Sequence, residues 1–94
     1  MPKKYPTLEH REIIDILLAL GFHYDSTDGS HEQYEGIVDG EKRKVTVVTN
    51  IKTFDERDIK SFVSQAFGKM IITKKDVKRF YGVTKNTAKK VQNL

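Results

Sequence analysis

His31 is the side chain in this sequence with the neighbours best suited to acid–base chemistry. An imidazole has a reference pKa of about 6.5 and can accept the proton of a ribose 2′-hydroxyl near neutral pH, which starts RNA cleavage without a metal. Gly29 lets the backbone approach a phosphate closely, and the hydroxyl of Ser30 can donate a hydrogen bond to it. On residue chemistry alone, His31 is therefore a candidate general base shaped by Gly29 and Ser30, although the sequence shows no general acid to accompany it.

The alternative interpretation is that His31 is a solvent-facing strand residue without a catalytic role. The other two histidines are weaker candidates. His10 falls in the first turn of a predicted helix, near the positive end of its dipole. His23 follows the predicted core residue Phe22 and has no phosphate-binding neighbours in the sequence.

No metal or cofactor site is expected. Three histidines without cysteine and without close spacing do not form a zinc-binding pattern. Asp25, Asp28 and Glu32 could be imagined around a magnesium ion, but they straddle a turn and lack the spacing of a ligand loop. Solvation explains these three carboxylates more simply.

A helix is predicted ahead of these residues. Thr7 can cap it, its apolar positions fall on one broad face, and Gly21 can end it. The apolar positions are Ile13, Ile14, Leu17, Leu18 and Leu20. A short strand over 22–25 and a polar turn then lead to a second strand that begins at Ser30 or His31.

The dipeptide Asp39-Gly40 predicts a two-residue hairpin turn, because both residues tolerate a positive φ. Taking it as the loop sets Tyr34 opposite Val45, and His31 opposite Val48. The face opposite to Tyr34 is too polar to be the core side and carries His31, Gln33, Glu35, Lys42, Lys44 and Thr46. We expect this face to look outward or toward a ligand.

Basic residues in and after this hairpin are candidate phosphate contacts. Lys42 and Lys44 share the polar face with His31, and Lys52 lies in the loop that follows. The basic run 42–44 has a second interpretation, since charged residues on an exposed hairpin also protect an edge strand from aggregation.

A second long helix is predicted from Asp55, which can cap it, to Gly68. Its apolar residues recur at helical spacing and are Ile59, Phe62, Val63, Ala66 and Phe67. The order helix, three strands, helix predicts an α+β fold, α-β-β-β-α, with a three-stranded antiparallel sheet and both helices on its apolar face.

Leu20-Gly21-Phe22, followed by Asp28-Gly29-Ser30-His31, resembles the HicA family of toxins. The helix, Gly-Phe, Gly-Ser-His, hairpin and second helix follow in the order of that family, and the resemblance covers roughly residues 7–70. It implies a fold like that of double-stranded-RNA-binding domains. It also implies a metal-independent ribonuclease that cleaves messenger RNA, with His31 as catalytic residue, and a HicB-type antitoxin protein as partner.

The chain departs from the family in its charge. Residues 1–68 hold 9 Lys and Arg against 12 Asp and Glu, whereas residues 69–94 hold 8 against 1. The basic excess therefore lies in the last quarter of the chain, which is typical of a contact with nucleic acid or another acidic partner and also of a solvated, charged helix.

Residues 74–93 resemble the helix-turn-helix of bacterial repressors. Thr84 would open the recognition helix, and the predicted DNA or partner contacts are Lys85, Asn86, Lys89 and Lys90. The alternative is that Val77, Phe80 and Tyr81 pack a third helix against the body, because two short helices alone bury too little surface to fold stably.

The predicted organisation is a body over 1–70 and a basic helical extension over 71–94, formed by one helix or a helix pair. The absence of cysteine indicates a reducing compartment, and the N-terminus shows no signal peptide. We expect a cytoplasmic protein without a membrane partner. The alternative to a ribonuclease is a non-catalytic RNA- or DNA-binding module that uses the polar sheet face and the basic tail.

Overall fold

The computed structural model describes residues 5–92. The elements are β1 (Leu8–Glu9), α1 (His10–Leu20), β2 (His23–Asp28), β3 (His31–Val38), β4 (Glu41–Val48), β5 (Thr53–Phe54), α2 (Glu56–Phe67), α3 (Lys74–Tyr81) and α4 (Lys85–Ala88), followed by a 3₁₀ turn at Lys89–Val91. The predicted α+β fold is confirmed, with α1, the antiparallel sheet β2–β3–β4 and α2 in α-β-β-β-α order. A helix pair, α3 and α4, follows.

The β3–β4 hairpin has the register that its turn predicts. Tyr34 pairs with Val45, and His31 pairs with Val48. Asp39 and Gly40 form the loop with φ values of 52° and 84°, the left-handed backbone that a two-residue turn of this kind requires. Because side chains alternate along a strand, this register fixes which residues share each face.

The core lies between one sheet face and the helices. Tyr34, Val45 and Val47 are buried with apolar side chains of α1 and α2. These helical side chains are Ile13, Ile16 and Leu17 on α1, and Ile59, Phe62, Val63, Ala66 and Phe67 on α2. The opposite side of the β3–β4 hairpin, which we call the open face, carries His31, Gln33, Glu35, Ile37, Lys42, Lys44, Thr46 and Val48, all exposed or half-buried.

The first helix starts later than the sequence suggested. Residues 8–9 form β1, which pairs with β5, so Thr7 lies before a strand and does not cap the helix. Glu9 is the N-cap of α1, in a capping box with Glu12. The pairing of β1 with β5 thus moves the start of the helix to Glu9, although Thr7 is the better capping residue by type.

β2 also extends further than predicted, to Asp28. A register shift between Tyr24 and Ser26 puts an irregularity in its pairing with β3. Directly before β2, Phe22 lies close to β3 at Gly36, where an added Cβ would stand 2.8 Å from the Cα of Phe22. Gly36 therefore fixes the point at which β2 joins the sheet, with His23 opposite Glu35.

The C-terminal helices pack on the body. α3 begins after Thr73, whose hydroxyl accepts from the backbone N–H of Asp76. Val77, Phe80 and Tyr81 are buried in the same hydrophobic cluster as the sheet residues, and the Tyr81 hydroxyl donates to the carbonyl of Pro6. Burial raises the pKa of that hydroxyl, with a smaller contribution from Glu56.

Ion pairs join α3 to the turn between β3 and β4 and to the loop between α2 and α3. The Arg79 guanidinium donates to both carboxylate oxygens of Asp39, at 3.2 and 3.1 Å, and lies 4.3 Å from the ring centroid of Phe67. The Lys69 ammonium lies 2.7 Å from a carboxylate oxygen of the buried Asp76. Hydrogen bonds from Lys69 and from Thr73 hold the pKa of Asp76 at about 2, below its usual value of 3.8.

Across residues 5–92, none of the helices combines the length and the apolar character that crossing a membrane requires.

Candidate functional site

His31 opens β3 on the open face, directly after the turn formed by Gly29 and Ser30. Gly29 has a φ of 62°, which favours glycine. The Ser30 carbonyl accepts from the backbone N–H of Thr49 at 2.7 Å and from its hydroxyl at 3.2 Å. The turn is therefore held to the end of β4, which fixes the backbone that carries His31.

The side chain of His31 is exposed, and within residues 5–92 its ring has no hydrogen-bonding partner. Asp28 lies directly across the hairpin from it on β2, and Val48 lies on its other side on β4. Cross-strand partners have Cβ atoms about 5 Å apart, so the Asp28 carboxylate stands near the imidazole, but within residues 5–92 the two side chains form no ion pair. An exposed imidazole beside a carboxylate can exchange a proton with a bound ligand.

Gln33 and Thr46 continue the open face beside His31. The Thr46 hydroxyl donates to the side-chain oxygen of Gln33 at 2.9 Å, and the backbone N–H of Thr46 donates to the side chain of Gln65 at 3.0 Å. Gln65 belongs to α2 and thus satisfies a backbone donor of the edge strand β4. These bonds keep the middle of the face polar and ordered.

Lys42 and Lys44 share the open face with His31 but lie at its other end. Lys44 pairs with Glu35, and Lys42 pairs with Ile37. Four and six residues along β3 correspond to about 13 Å and about 20 Å at roughly 3.3 Å per residue. The two lysines are therefore too far from His31 to hold the phosphate on which it would act, and they can contact only neighbouring phosphates of an extended strand.

A cavity of about 260 Å³ lies at this lysine end of the open face, and we call it the hairpin cavity. Its lining includes His23, Glu35, Gly36, Ile37, Lys42 and Lys44. Sequence reasoning set His23 aside because no basic residue stands near it in the chain. The register of β2 places it opposite Glu35, and that register could not be derived because the irregularity after Tyr24 breaks the alternation.

Lys52 lies in a different place. Its carbonyl accepts from the backbone N–H of His10 at 3.2 Å, and both residues line an open depression with Arg11. The His10 ring lies 2.9 Å from a carboxylate oxygen of Glu32. Glu32 alternates with His31 along β3, so this pair stands on the helix side of the sheet. Lys52 thus accompanies His10, and it does not accompany His31.

The predicted contacts in the C-terminal segment are only partly accessible. Lys85, Asn86 and Lys89 are exposed. The Lys90 ammonium donates to the Thr7 carbonyl at 3.1 Å and to the Glu12 carboxylate at 2.8 Å. Burial would raise the pKa of Glu12, but hydrogen bonds from the Glu9 backbone and Lys90 lower it overall.

The predicted recognition helix is short. Thr84 does cap it, but only Lys85–Ala88 is α-helical before the 3₁₀ turn, and Asn93 lies outside the described residues. Val83, Ala88 and Val91 are half-buried, whereas Thr87 is buried. Its hydroxyl bonds the Tyr81 carbonyl, which closes the turn between the two helices.

Residues 5–92 contain no group of three or more histidine, aspartate or glutamate side chains placed to hold one ion.

The chain was compared with known proteins at the level of family, sequence and fold. No protein-family model, curated protein or solved structure matches it.

Proposed function

We propose that this protein is a metal-independent endoribonuclease that resembles the HicA family and acts on messenger RNA. The observation that carries the proposal is the position of His31. Its imidazole is exposed at the start of β3, on a sheet face that no helix within residues 5–92 covers, and follows a turn held in place by Thr49. An extended RNA strand can reach such a residue without any movement of the protein.

In the proposed reaction, His31 takes the proton of a ribose 2′-hydroxyl, whose oxygen then attacks the adjacent phosphorus. The bond to the 5′-oxygen breaks, leaving a 2′,3′-cyclic phosphate on one fragment and a 5′-hydroxyl on the other. Water protonates the departing oxygen, since the nearest other histidine on this face, His23, is about 13 Å away along the strand. The hydroxide that this leaves takes the proton from the His31 imidazolium and restores the base. Asp28 stabilises the imidazolium that forms.

Gly29 and Ser30 contribute to binding at the same place. The glycine exposes backbone at the turn, and the serine hydroxyl can donate to a phosphate oxygen. Lys42 and Lys44 hold phosphates further along the strand. The resemblance to HicA also leads us to propose a HicB-like antitoxin as a protein partner, which would inhibit cleavage by covering the open face.

The test is to identify the ends of the products. Wild-type protein is incubated with a long, partly single-stranded RNA in excess EDTA. We expect fragments that carry a 2′,3′-cyclic phosphate and a 5′-hydroxyl, and no cleavage of the same sequence made with 2′-O-methyl ribose. Products with 5′-phosphate ends would contradict the mechanism, and an RNA left intact by the wild type would contradict the enzyme assignment.

A non-catalytic RNA-binding module is the second candidate. The observation that favours it is chemical, because within the described part of the chain no second acid–base side chain apart from Asp28 lies beside His31. Such a module would hold RNA through phosphate, 2′-hydroxyl and stacking contacts. Binding by a wild-type protein that cuts nothing, with the same affinity in His31→Ala, would establish this candidate in place of the enzyme.

A further inference from the structure

Ile37 is a large apolar side chain that core packing does not explain. It belongs to the open face and is 63% exposed, although its neighbours across the hairpin are charged. The hairpin cavity lies beside it, about 260 Å³ in volume. Pockets that bury a drug-sized molecule measure about 300–1,000 Å³, so this cavity has room for a single small ring system.

The rim of the hairpin cavity is positively charged and accessible. Lys42 is exposed and has no ion-pair or hydrogen-bonding partner among residues 5–92. Lys44 lies 3.5 Å from a Glu35 carboxylate oxygen, but both side chains are about half exposed, at 57% and 43%. An exposed pair of this kind is weak, so Lys44 can turn to a phosphate at little cost.

His23 adds a flat ring on the other side of the cavity. It is exposed and, within the described residues, forms neither a hydrogen bond nor an ion pair. Histidine is among the side chains on which unpaired RNA bases stack. An apolar side chain, a stacking ring and two ammonium groups are together the chemistry that recognises one base and its phosphate.

We propose that the hairpin cavity binds one nucleotide of a single-stranded RNA, with its base between Ile37 and His23 and its phosphate on Lys42 and Lys44. The inference rests on the proposed function, since it makes the cavity a subsite of the RNA that His31 cuts. The separation of about 13 Å between the His31 and Glu35 positions means that the RNA runs along β3. Its scissile bond then lies at the Gly29–Ser30 end of the face, and the bound nucleotide lies at the Asp39–Gly40 end.

The experiment measures binding without cleavage. A fluorescent six-nucleotide RNA with 2′-O-methyl ribose throughout is titrated with the full chain over a range of salt concentrations. The variants are Ile37→Ser and Lys42→Ala, both at exposed positions. The matched controls are Leu18→Ser, at an apolar side chain of α1 that is 52% exposed, and Lys60→Ala, at an exposed lysine of α2.

The two variants should differ in a diagnostic way. Ile37→Ser should weaken binding at least about fivefold without changing the salt dependence, because an apolar contact with the base is lost. Lys42→Ala should make the negative slope of log affinity against log salt shallower by about 0.7, the value for one phosphate contact on a single strand. Both control variants should bind as the wild type does.

Wild-type affinity and salt slope in both variants would overturn the subsite. A second contradicting result would be that free uridine monophosphate or adenosine monophosphate binds as tightly as the six-nucleotide RNA. The site would then serve a mononucleotide and not an RNA strand. This failure is distinct from failure of the proposed function, because binding of an uncleavable RNA does not depend on His31 chemistry. The titration therefore tests whether the hairpin cavity binds a nucleotide even if the wild type cuts no RNA.

Discussion

At the residue scale, the proposed chemistry rests on His31, and Asp28 is its cross-strand partner on β2. The two residues face each other across the β2–β3 hairpin, next to the turn. A carboxylate in that position has two opposing effects, since it stabilises the imidazolium formed on proton transfer and repels the phosphate that approaches it. Asp28 is thus a positioning residue whose removal should separate binding from catalysis.

We expect Asp28→Asn to lower kcat about fivefold, the upper size of an exposed ion-pair interaction, and to leave KM equal or lower. Steady-state cleavage of a short RNA at low salt measures both constants. Asp25→Asn is the control, because Asp25 is an exposed carboxylate of the same strand that does not face His31. A fall in kcat/KM through a higher KM alone would contradict the assigned role.

The local structure around His31 could be predicted from the sequence because it depends on adjacent residues, whereas the roles proposed for these residues stay predictions. Gly29, Ser30 and His31 are adjacent in the chain, and a turn followed by an exposed strand is all that their proposed roles require. The position of His23 at the hairpin cavity was not predicted, and neither was the position of Lys52 beside His10. Both positions depend on pairings between segments that are distant in the chain. The contacts of Lys52 with α1 arise from the β1–β5 ladder, for which two residues on each strand give no periodic signal.

At the element scale, the hairpin and the helix starts show what local rules can determine. Asp39-Gly40 set the β3–β4 register correctly, since a two-residue loop leaves no freedom in pairing. Asp55 and Thr73 cap α2 and α3 as their side chains allow. Thr7 has the same capping chemistry and does not cap α1, because the neighbouring residues gain more from pairing with β5.

The start of α3 gives a prediction about pH. Asp76 completes a capping box with Thr73 and pairs with Lys69, and its pKa of about 2 lies below the usual 3.8. A lowered pKa in the folded state means that the carboxylate stabilises the fold above about pH 4 and loses this effect as the pH falls toward 2. Asp76→Asn should therefore unfold at lower urea than the wild type at pH 7, and the gap should close toward pH 2.

Asp15→Asn, at an exposed carboxylate of α1, is the control for general charge effects. The gap between this variant and the wild type should stay small at every pH. A gap for Asp76→Asn that is as large at pH 2 as at pH 7 would show that Asp76 acts through packing and not through its charge.

At the scale of the whole molecule, the C-terminal extension is joined to the body by burial as well as by charge. Phe80 is fully buried and makes an edge contact with Phe67, with ring centroids 6.4 Å apart. The composition shift near Lys69 suggested a boundary, yet side chains on both sides of it belong to one hydrophobic cluster. Charge asymmetry describes the surface of the extension and does not report which residues it buries.

Phe80→Ala should lower the free energy of unfolding of the whole chain by about 3–5 kcal/mol, the usual cost of emptying a phenylalanine site in a core. Hydrogen exchange at the amides of Val45 and Val47, in the sheet, should accelerate along with that of α3. Ile71→Ala, at a side chain that is 81% exposed, should have little effect. Unchanged protection in the sheet with loss of α3 alone would contradict this prediction, because the body would then keep its fold without the extension.

The whole account depends on the identity of the cleaving residue. The most direct measurement compares the rate of RNA cleavage in EDTA by the wild type, His31→Ala and His10→Gln, each first shown to be folded by its amide spectrum. The account predicts that His31→Ala cuts at least about 100-fold more slowly, and that His10→Gln, which can still bond Glu32, cuts at the wild-type rate. Cleavage by His31→Ala at the wild-type rate would contradict it.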